Sequence, residues 1–304
     1  MLTLLIFGGC GFPALLIFSY RSLLTAGPPC ALDITPANFQ VAGIDTTRYQ
    51  MPTFQDVSFP ARGHAVTIRA FYAPVSTADA PTVILSHGLG SCRRGNEALI
   101  PAGMLHQAGF NVLMLDLRNM GESARDNELH ALGSKEYRDV LGAYDWLIQQ
   151  GAQAGRIGVY GVSLGGATVL NAAGAEPGIA AAWTDSAFAD PQVIVNDIAA
   201  DTPLIQVLLQ PGLWMGRMVY GDDIYSQHPV EAVARFGDRP LFLVHGTPDQ
   251  TVPYKHMSLL EQAAVEAGVT VESWTTDSQH VFSIYDYTAD YESRLIAFFQ
   301  AALG

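Results

Sequence analysis

Residues 156–175 read RIGVYGVSLGGATVLNAAGA: an apolar run, a glycine-rich turn carrying Ser163, then an apolar stretch rich in alanine. The opening RIGVY has the character of a buried strand, and the closing ATVLNAAGA that of a helix. Between them, Gly161-Val162-Ser163-Leu164-Gly165-Gly166 holds Gly-x-Ser-x-Gly in strand–turn–helix context. A sharp turn of that kind pushes the serine hydroxyl outwards, and the glycines permit the crowding around it. The pentapeptide alone is weak evidence, since a plain tight turn can have the same sequence. Its surroundings decide.

Working outwards, similar apolar runs recur at Thr82–Leu85, Asn111–Leu115, Ile157–Tyr160, Ala180–Trp183, Leu241–Val244 and Val269–Trp274, bounded by Gly, Pro or Asp. Buried parallel strands have this pattern. Two β-rich stretches come first, around Phe54–Phe59 and Val66–Tyr72, and helical segments such as Tyr137–Gln149, Ala167–Ala175, Met257–Ala267 and Tyr291–Ala302 lie between the later runs. The alternation predicts an α/β fold with a mostly parallel sheet covered on both faces. Ligands of such sheets bind beyond the carboxy ends of the strands, so the residues after each run are the ones to inspect.

Three strand exits stand out. TVIL runs into Ser86-His87-Gly88-Leu89-Gly90, a glycine-flanked loop able to aim a backbone N–H at a developing oxyanion; Leu89 is the candidate donor, with Leu164 supplying a second N–H. The lesser alternative is that His87-Gly88 merely closes a turn, with His87 hydrogen-bonded structurally. Leu241–Val244 leads into HGTPDQTVP and places Asp249 in an exit loop, where a carboxylate can fix the tautomer of a histidine base. Asp185, at the exit of AAWT, is its rival. The order serine, acid, histidine leaves two histidines after Asp249. His256 starts a helix leading away from the strand ends, whereas His280 follows VESWTT and TDSQ and can reach the catalytic edge.

These segments together resemble the α/β-hydrolase superfamily, particularly its single-domain, membrane-anchored serine hydrolases. The likeness runs over most of residues 54–302 and includes HGLGS, LDLRNMGES, GVSLGGA, HGTPDQTVP and SQHVF. It implies Ser163 as nucleophile, Asp249 as acid, His280 as base, and Leu89 and Leu164 as oxyanion donors. Similar proteins usually carry Arg-Gly-x-Gly-x-Ser where this chain has Arg118-Asn119-Met120-Gly121-Glu122-Ser123, a departure in a structural loop rather than in the triad. The resemblance also implies a short helical cap at about 186–236. Its Leu208, Leu209, Leu213, Trp214, Met215, Met218 and Tyr220 would either line an acyl pocket or pack on the sheet.

The amino-terminal run Leu2–Tyr20 is uncharged, and as a helix it would cover about 29 Å, close to a bilayer core. It is expected to be a single-pass membrane anchor over 1–26, with a cleaved signal peptide or a helix packed on the body as alternatives. The proline-bearing stretch 27–52 is expected as a tether, and 53–304 as the hydrolase domain. Of 304 residues, 49% are hydrophobic and 15% charged, which excludes a disordered chain. A formal charge of −13 with no run of Lys or Arg excludes a phosphate-neutralising nucleic-acid surface. Cys10, Cys30 and Cys92 are too few for a disulfide framework, and no motif calls for a metal or other cofactor.

Hydrolysis of a small-molecule or lipid-like carboxylic ester is the leading expectation. HGTPDQTVP also resembles the catalytic domains of the prolyl-oligopeptidase group, so a serine peptidase is the nearest rival, weakened by the lack of a propeller-sized amino-terminal region. Thioesterase activity is not separable by sequence, and a catalytically inactive membrane scaffold is the non-enzyme alternative.

Overall fold

The computed structural model describes residues 11–304 apart from 28, 29, 31, 32, 78, 201 and 202. An eight-stranded sheet forms its centre: β1 (Gln55–Pro60), β2 (Thr67–Ala73), β3 (Thr82–Ser86), β4 (Asn111–Leu115), β5 (Ile157–Val162), β6 (Ile179–Asp185), β7 (Leu241–Gly246) and β8 (Val271–Thr276), in spatial order β1-β2-β4-β3-β5-β6-β7-β8. β1 and β2 join antiparallel, and β3 to β8 are parallel. The central strands are buried on both sides, so each feeds two cores. Ile84, Leu113, Val159 and Leu243 face one core, while Val83, Leu85, Met114, Val162 and Val244 face the other. Strand alternation divides an almost wholly apolar run into two faces, each covered by helices.

The helices are α1 (Gly11–Leu24), α2 (Asn96–Gln107), α3 (Tyr137–Gln149), α4 (Leu164–Ala175), α5 (Pro191–Ala199), α6 (Pro203–Tyr220), α7 (Pro229–Val233), α8 (Lys255–Glu266), α9 (Ser283–Asp286) and α10 (Thr288–Leu303). The second core collects around Trp183, which stacks on Phe242 at 3.9 Å and receives Tyr291 and Phe298 of α10 against its ring. The polar tips there satisfy one another: Tyr160 and Tyr291 hydroxyls are 2.9 Å apart, and the Trp183 indole N–H donates to Tyr291 at 3.2 Å.

The expected membrane anchor is corrected by the fold. Residues 1–10 lie outside the described residues, and from Gly11 the run becomes a fourteen-residue helix with Leu16, Tyr20 and Leu24 buried. Its apolar side meets α6. Glycines on α6 admit it, since a Cβ at Gly216 would lie 2.3 Å from the Tyr20 ring and one at Gly212 would lie 3.3 Å from the Leu16 carbonyl. Tyr20 stacks on Tyr220 with centroids 5.6 Å apart. Among the described residues no helix is long and apolar enough to cross a membrane. Residues 11–24 form a helix packed on the body, one of the two alternatives to an anchor.

The stretch expected as a tether is docked as well. Phe39, Tyr49 and Met51 are buried in the second core. A short 3-10 turn, Thr47–Tyr49, lies against α2, where a Cβ at Gly103 would stand 2.3 Å from the Tyr49 carbonyl. Further back, Gly27 rests on Gly90, and Cys30 is bonded to Cys92 across a separation of 62 residues. Three cysteines thus yield one disulfide, and it ties the amino-terminal segment to the loop after β3. Closing a loop of that length stabilises the fold by about 4 kcal/mol in the chain-entropy picture. Cys30→Ser should therefore lower the urea midpoint, with a free-energy loss of about 2–4 kcal/mol. Dithiothreitol should lower the wild-type midpoint similarly and leave that of the variant unchanged.

Candidate active site

Ser163 lies between β5 and α4 with φ 53° and ψ −121°, a conformation that costs a non-glycine residue on the order of 1–3 kcal/mol. Neighbouring backbone enforces it. A Cβ at Gly165 would fall 2.4 Å from the Ser86 and His87 carbonyls, and one at Gly161 would fall 2.4 Å from the Gly165 carbonyl. The Ser163 N–H is held by the Asp185 carbonyl at 2.9 Å. The hydroxyl is thereby presented at the carboxy edge of the sheet.

His280 Nε2 stands 3.0 Å from Ser163 Oγ, and its Nδ1 stands 2.7 Å from Asp249 Oδ2. The other carboxylate oxygen of Asp249 accepts N–H bonds from Thr251 and Val252, both at 2.9 Å. His245, buried beneath, places Nε2 2.8 Å from the Val252 carbonyl and 3.3 Å from Asp249 Oδ2. Burial works to raise the Asp249 pKa, but the hydrogen bonds from His245, His280 and Val252 outweigh it and hold the carboxyl well below the usual range. Asp249 therefore stays ionised and can only accept. That directs the Nδ1 proton of His280 to Asp249 and leaves Nε2 to receive the hydroxyl proton of Ser163.

The two expected donor N–H groups flank the serine. Leu164 is the first residue of α4, and neither its N–H nor that of Leu89 finds an acceptor among the described residues. His87 orients the Leu89 peptide. Its Nε2 accepts from the Leu117 N–H at 3.1 Å, so its proton is on Nδ1 and is donated to the Gly88 carbonyl at 2.7 Å. In a planar trans peptide the Leu89 N–H then points the opposite way. His87 is thus a fully buried structural histidine, and the Gly88–Leu89 peptide is fixed through it.

The loop that follows is fastened by charge. Arg93, fully buried, lies 4.0 Å over the Phe71 ring and pairs with Asp56, Asp116 and Glu122. Asp116, at the exit of β4, accepts the N–H groups of Arg93 and Glu122. In the departure Arg118–Ser123, Asn119 has φ 64°, a left-handed value that Asn tolerates better than most residues. Its amide also donates to the Leu129 carbonyl at 2.7 Å, and Arg118 forms a buried ion pair with Asp139.

The rivals lie elsewhere. His256 is buried, with Nδ1 accepting from the Ala189 N–H and Nε2 facing Asp197 at 3.1 Å. Asp185 is fully buried and accepts from the Ser186 hydroxyl at 3.0 Å rather than from His280. None of the seven apolar residues named for the cap lines the cavity at Ser163. Leu208, Leu209 and Leu213 are buried, Leu209 and Leu213 within the first core, and Trp214 and Met218 face solvent. The cavity, about 500 Å³, is lined instead by Val41, Leu89, Glu97, His280, Phe282 and Tyr285, among others.

Sequence reasoning missed Ser186. Its hydroxyl accepts from the Val281 N–H at 3.1 Å while donating to Asp185. Val281, the residue after His280, has φ 61°, an outlier for a β-branched side chain, and Ser186 has φ 54°. The pair holds the His280 loop in its strained course. No motif marks Ser186, since it acts on a backbone N–H.

Residues 101–304 match the prolyl oligopeptidase family. The chain belongs to the prolyl oligopeptidase family. It is thereby a hydrolase of the α/β-hydrolase superfamily, of the serine type. The uncharacterized protein YfhR of Escherichia coli K12 is 26% identical over 266 residues, 82% of each chain. Thiohydrolase aneE of Aspergillus aculeatus is 34% identical over 99 residues, 32% of this chain and 30% of that one. Among solved structures, a Pyrococcus furiosus esterase superposes with a TM-score of 0.71 at 21% identity, over 92% of this chain and 99% of its own. A Pyrococcus horikoshii acylaminoacyl peptidase gives 0.61 at 17% identity, over 83% of this chain and 42% of its own. The fold is shared with both.

Burial pushes the Asp185 carboxyl up to about 6, with the Ser186 hydroxyl pulling the other way. The folded state then prefers the protonated acid, so this group's contribution is present below about pH 4, the unfolded value, and is lost as pH rises through about 6. Asp185→Asn should flatten that part of the stability profile between pH 4 and 6 in urea titrations. Ser186→Ala removes the partner of the buried Asp185 carboxyl and of the part-buried Val281 N–H and should cost about 1–3 kcal/mol, with slower serine labelling by a phosphonate. Wild-type stability and labelling rate would exclude the clamp.

Proposed function

We propose that the chain hydrolyses carboxylic esters through an acyl-enzyme on Ser163. The observation that carries this reading is the continuous path from Ser163 Oγ through His280 to Asp249, opening on a cavity of about 500 Å³. In the first half-reaction Ser163 Oγ attacks the ester carbonyl carbon while His280 Nε2 takes its proton. The carbonyl oxygen becomes an oxyanion facing the N–H groups of Leu89 and Leu164. Asp249 stabilises the imidazolium that forms, and the Nε2 proton passes to the departing alkoxide. Water, deprotonated by the same nitrogen, then releases the acid and restores the serine. No step calls for a cofactor.

The ester reading is supported by the P. furiosus esterase, which superposes along 99% of its length. The family supports a peptidase as the second reading, and the local likeness to a thiohydrolase adds thioesters as a substrate to assay. The apolar lining from Leu89, Val281 and Phe282 suits an acyl chain.

Ser163→Ala should abolish phosphonate labelling and ester turnover without moving the thermal midpoint. His280→Ala should cost as much, because triad members act as a unit. Asp249→Asn should lower turnover on the order of 10⁴-fold, and His256→Ala should leave most of it. Nitrophenyl esters of increasing acyl length, assayed beside peptide anilides and an acyl thioester, rank the three substrate classes. Faster anilide than ester turnover would move the assignment to the peptidase, and an unlabelled Ser163 would leave a binding scaffold.

A further inference from the structure

The cavity in front of Ser163 is uneven. Val41, Leu89, Val281 and Phe282 give it apolar walls, and Glu97 brings a carboxylate. Glu97 stands in the first turn of α2. Both its carboxylate oxygens lie 2.7 Å from where a Cβ on Gly95 would be, so the group is folded back over the turn that leads from the Leu89 loop into the helix. A side chain at 95 would have to displace it, together with the Ser91 hydroxyl 2.4 Å away. No ion pair or hydrogen bond reaches the Glu97 side chain among the described residues. The nearest cations in the chain are engaged elsewhere, Arg93 with Asp56, Asp116 and Glu122, and Arg94 with Glu122 and the Ile34 carbonyl. Its charge is felt across the cavity: after burial, it is the second cause that pushes the Tyr285 hydroxyl up to about 12.

A helix's first turn favours an acidic residue in any case, and the fold of Glu97 back over Gly95 agrees with that; the same residue also lines the cavity, where its carboxylate has no partner among the described residues. When substrate fills the site, an unpaired carboxylate on a largely apolar wall loses water, which is unfavourable unless the substrate supplies a compensating charge. We propose that Glu97 selects esters carrying a positively charged nitrogen, an ammonium or quaternary ammonium group. This deepens the hydrolase reading and rests on it for the word ester; the cation site itself stands on Glu97 and the cavity.

The net charge of −13 draws cations to the whole surface, so the deciding comparison is always between Glu97 and Glu97→Gln. In Ser163→Ala protein, calorimetric titration with hexyltrimethylammonium should give an affinity about tenfold above that for hexanol, and adding Glu97→Gln should erase the difference. This arm needs no turnover. In the active protein, nitrophenyl 6-aminohexanoate against nitrophenyl hexanoate tests a cation on the acyl side, and butyrylcholine against 3,3-dimethylbutyl butyrate tests one on the alcohol side. The cationic member of one pair should have the higher kcat/KM by about tenfold, falling to parity in Glu97→Gln. Equal affinity for ammonium and alcohol, or a preference that survives Glu97→Gln, would overturn the proposal. A protein inert to all four esters that still binds the ammonium through Glu97 would retain the cation site and remove the esterase reading. Turnover of all four with no charge preference would do the reverse.

Discussion

The structure depends on one close approach of backbone to backbone, where β5 turns into α4. At Gly165 the chain passes within 2.4 Å of where a side chain would meet the carbonyls of residues 86 and 87, and at Gly166 a Cβ would stand 2.7 Å from that of Ala187. Glycine is the residue that lets three segments meet at such distances. With β3, β5 and the start of β6's exit loop drawn to one point, the serine between them has a single course open to it, and that course is left-handed. The same convergence brings the Gly88–Leu89 peptide beside the hydroxyl. A methyl group at position 165 would push apart the strand ends on which the remaining groups are mounted.

Around that point the polar groups are arranged in tiers. His280 touches the serine, Asp249 touches His280, and His245 together with two backbone N–H groups touches Asp249. The Asp249 and His245 side chains are buried, and His280 is part-exposed in front of them. Charge developing at the front, as the proposed reaction requires, would meet dipoles already in place, with little reorganisation. Ser163, Ser186 and Val281, three of the non-glycine residues at positive φ, surround the His280 loop. Strain gathered in this way is compatible with a stable fold because the sheet and its two cores over-determine the loops.

Much of this was legible in the order of residues. The parallel strands other than the edge strand β8 are buried on both faces, so their runs stand out, and the ends of all six lie within about two residues of those read from the sequence. Ser163, Asp249 and His280 each follow such a run, which is why spacing alone could propose them. Helix α2 was not legible, because Pro101 removes a backbone donor and Gly103 is present for the sake of Tyr49 rather than for the helix. The uncharged run at the start looks the same whether lipid or α6 covers it, since hydropathy records what is apolar and not what lies against it. The cap's apolar residues misled for the same reason: Leu209 and Leu213 are apolar to receive α1, not an acyl chain. Pairing of Cys30 with Cys92, whose Cα atoms are 6.3 Å apart, and the parts taken by Ser186 and His245 are properties of the folded chain alone.

The disulfide has a consequence for biosynthesis. Bonds of this kind persist in oxidising compartments and are rare where glutathione and thioredoxin keep thiols reduced. Maturation in a reducing or an oxidising compartment would therefore give two molecules differing by two hydrogens. In one, the segment over Gly90 is covalently joined to the serine's neighbouring loop. In the other that covalent tie is absent, and Gly27 would be held against Gly90 by packing alone.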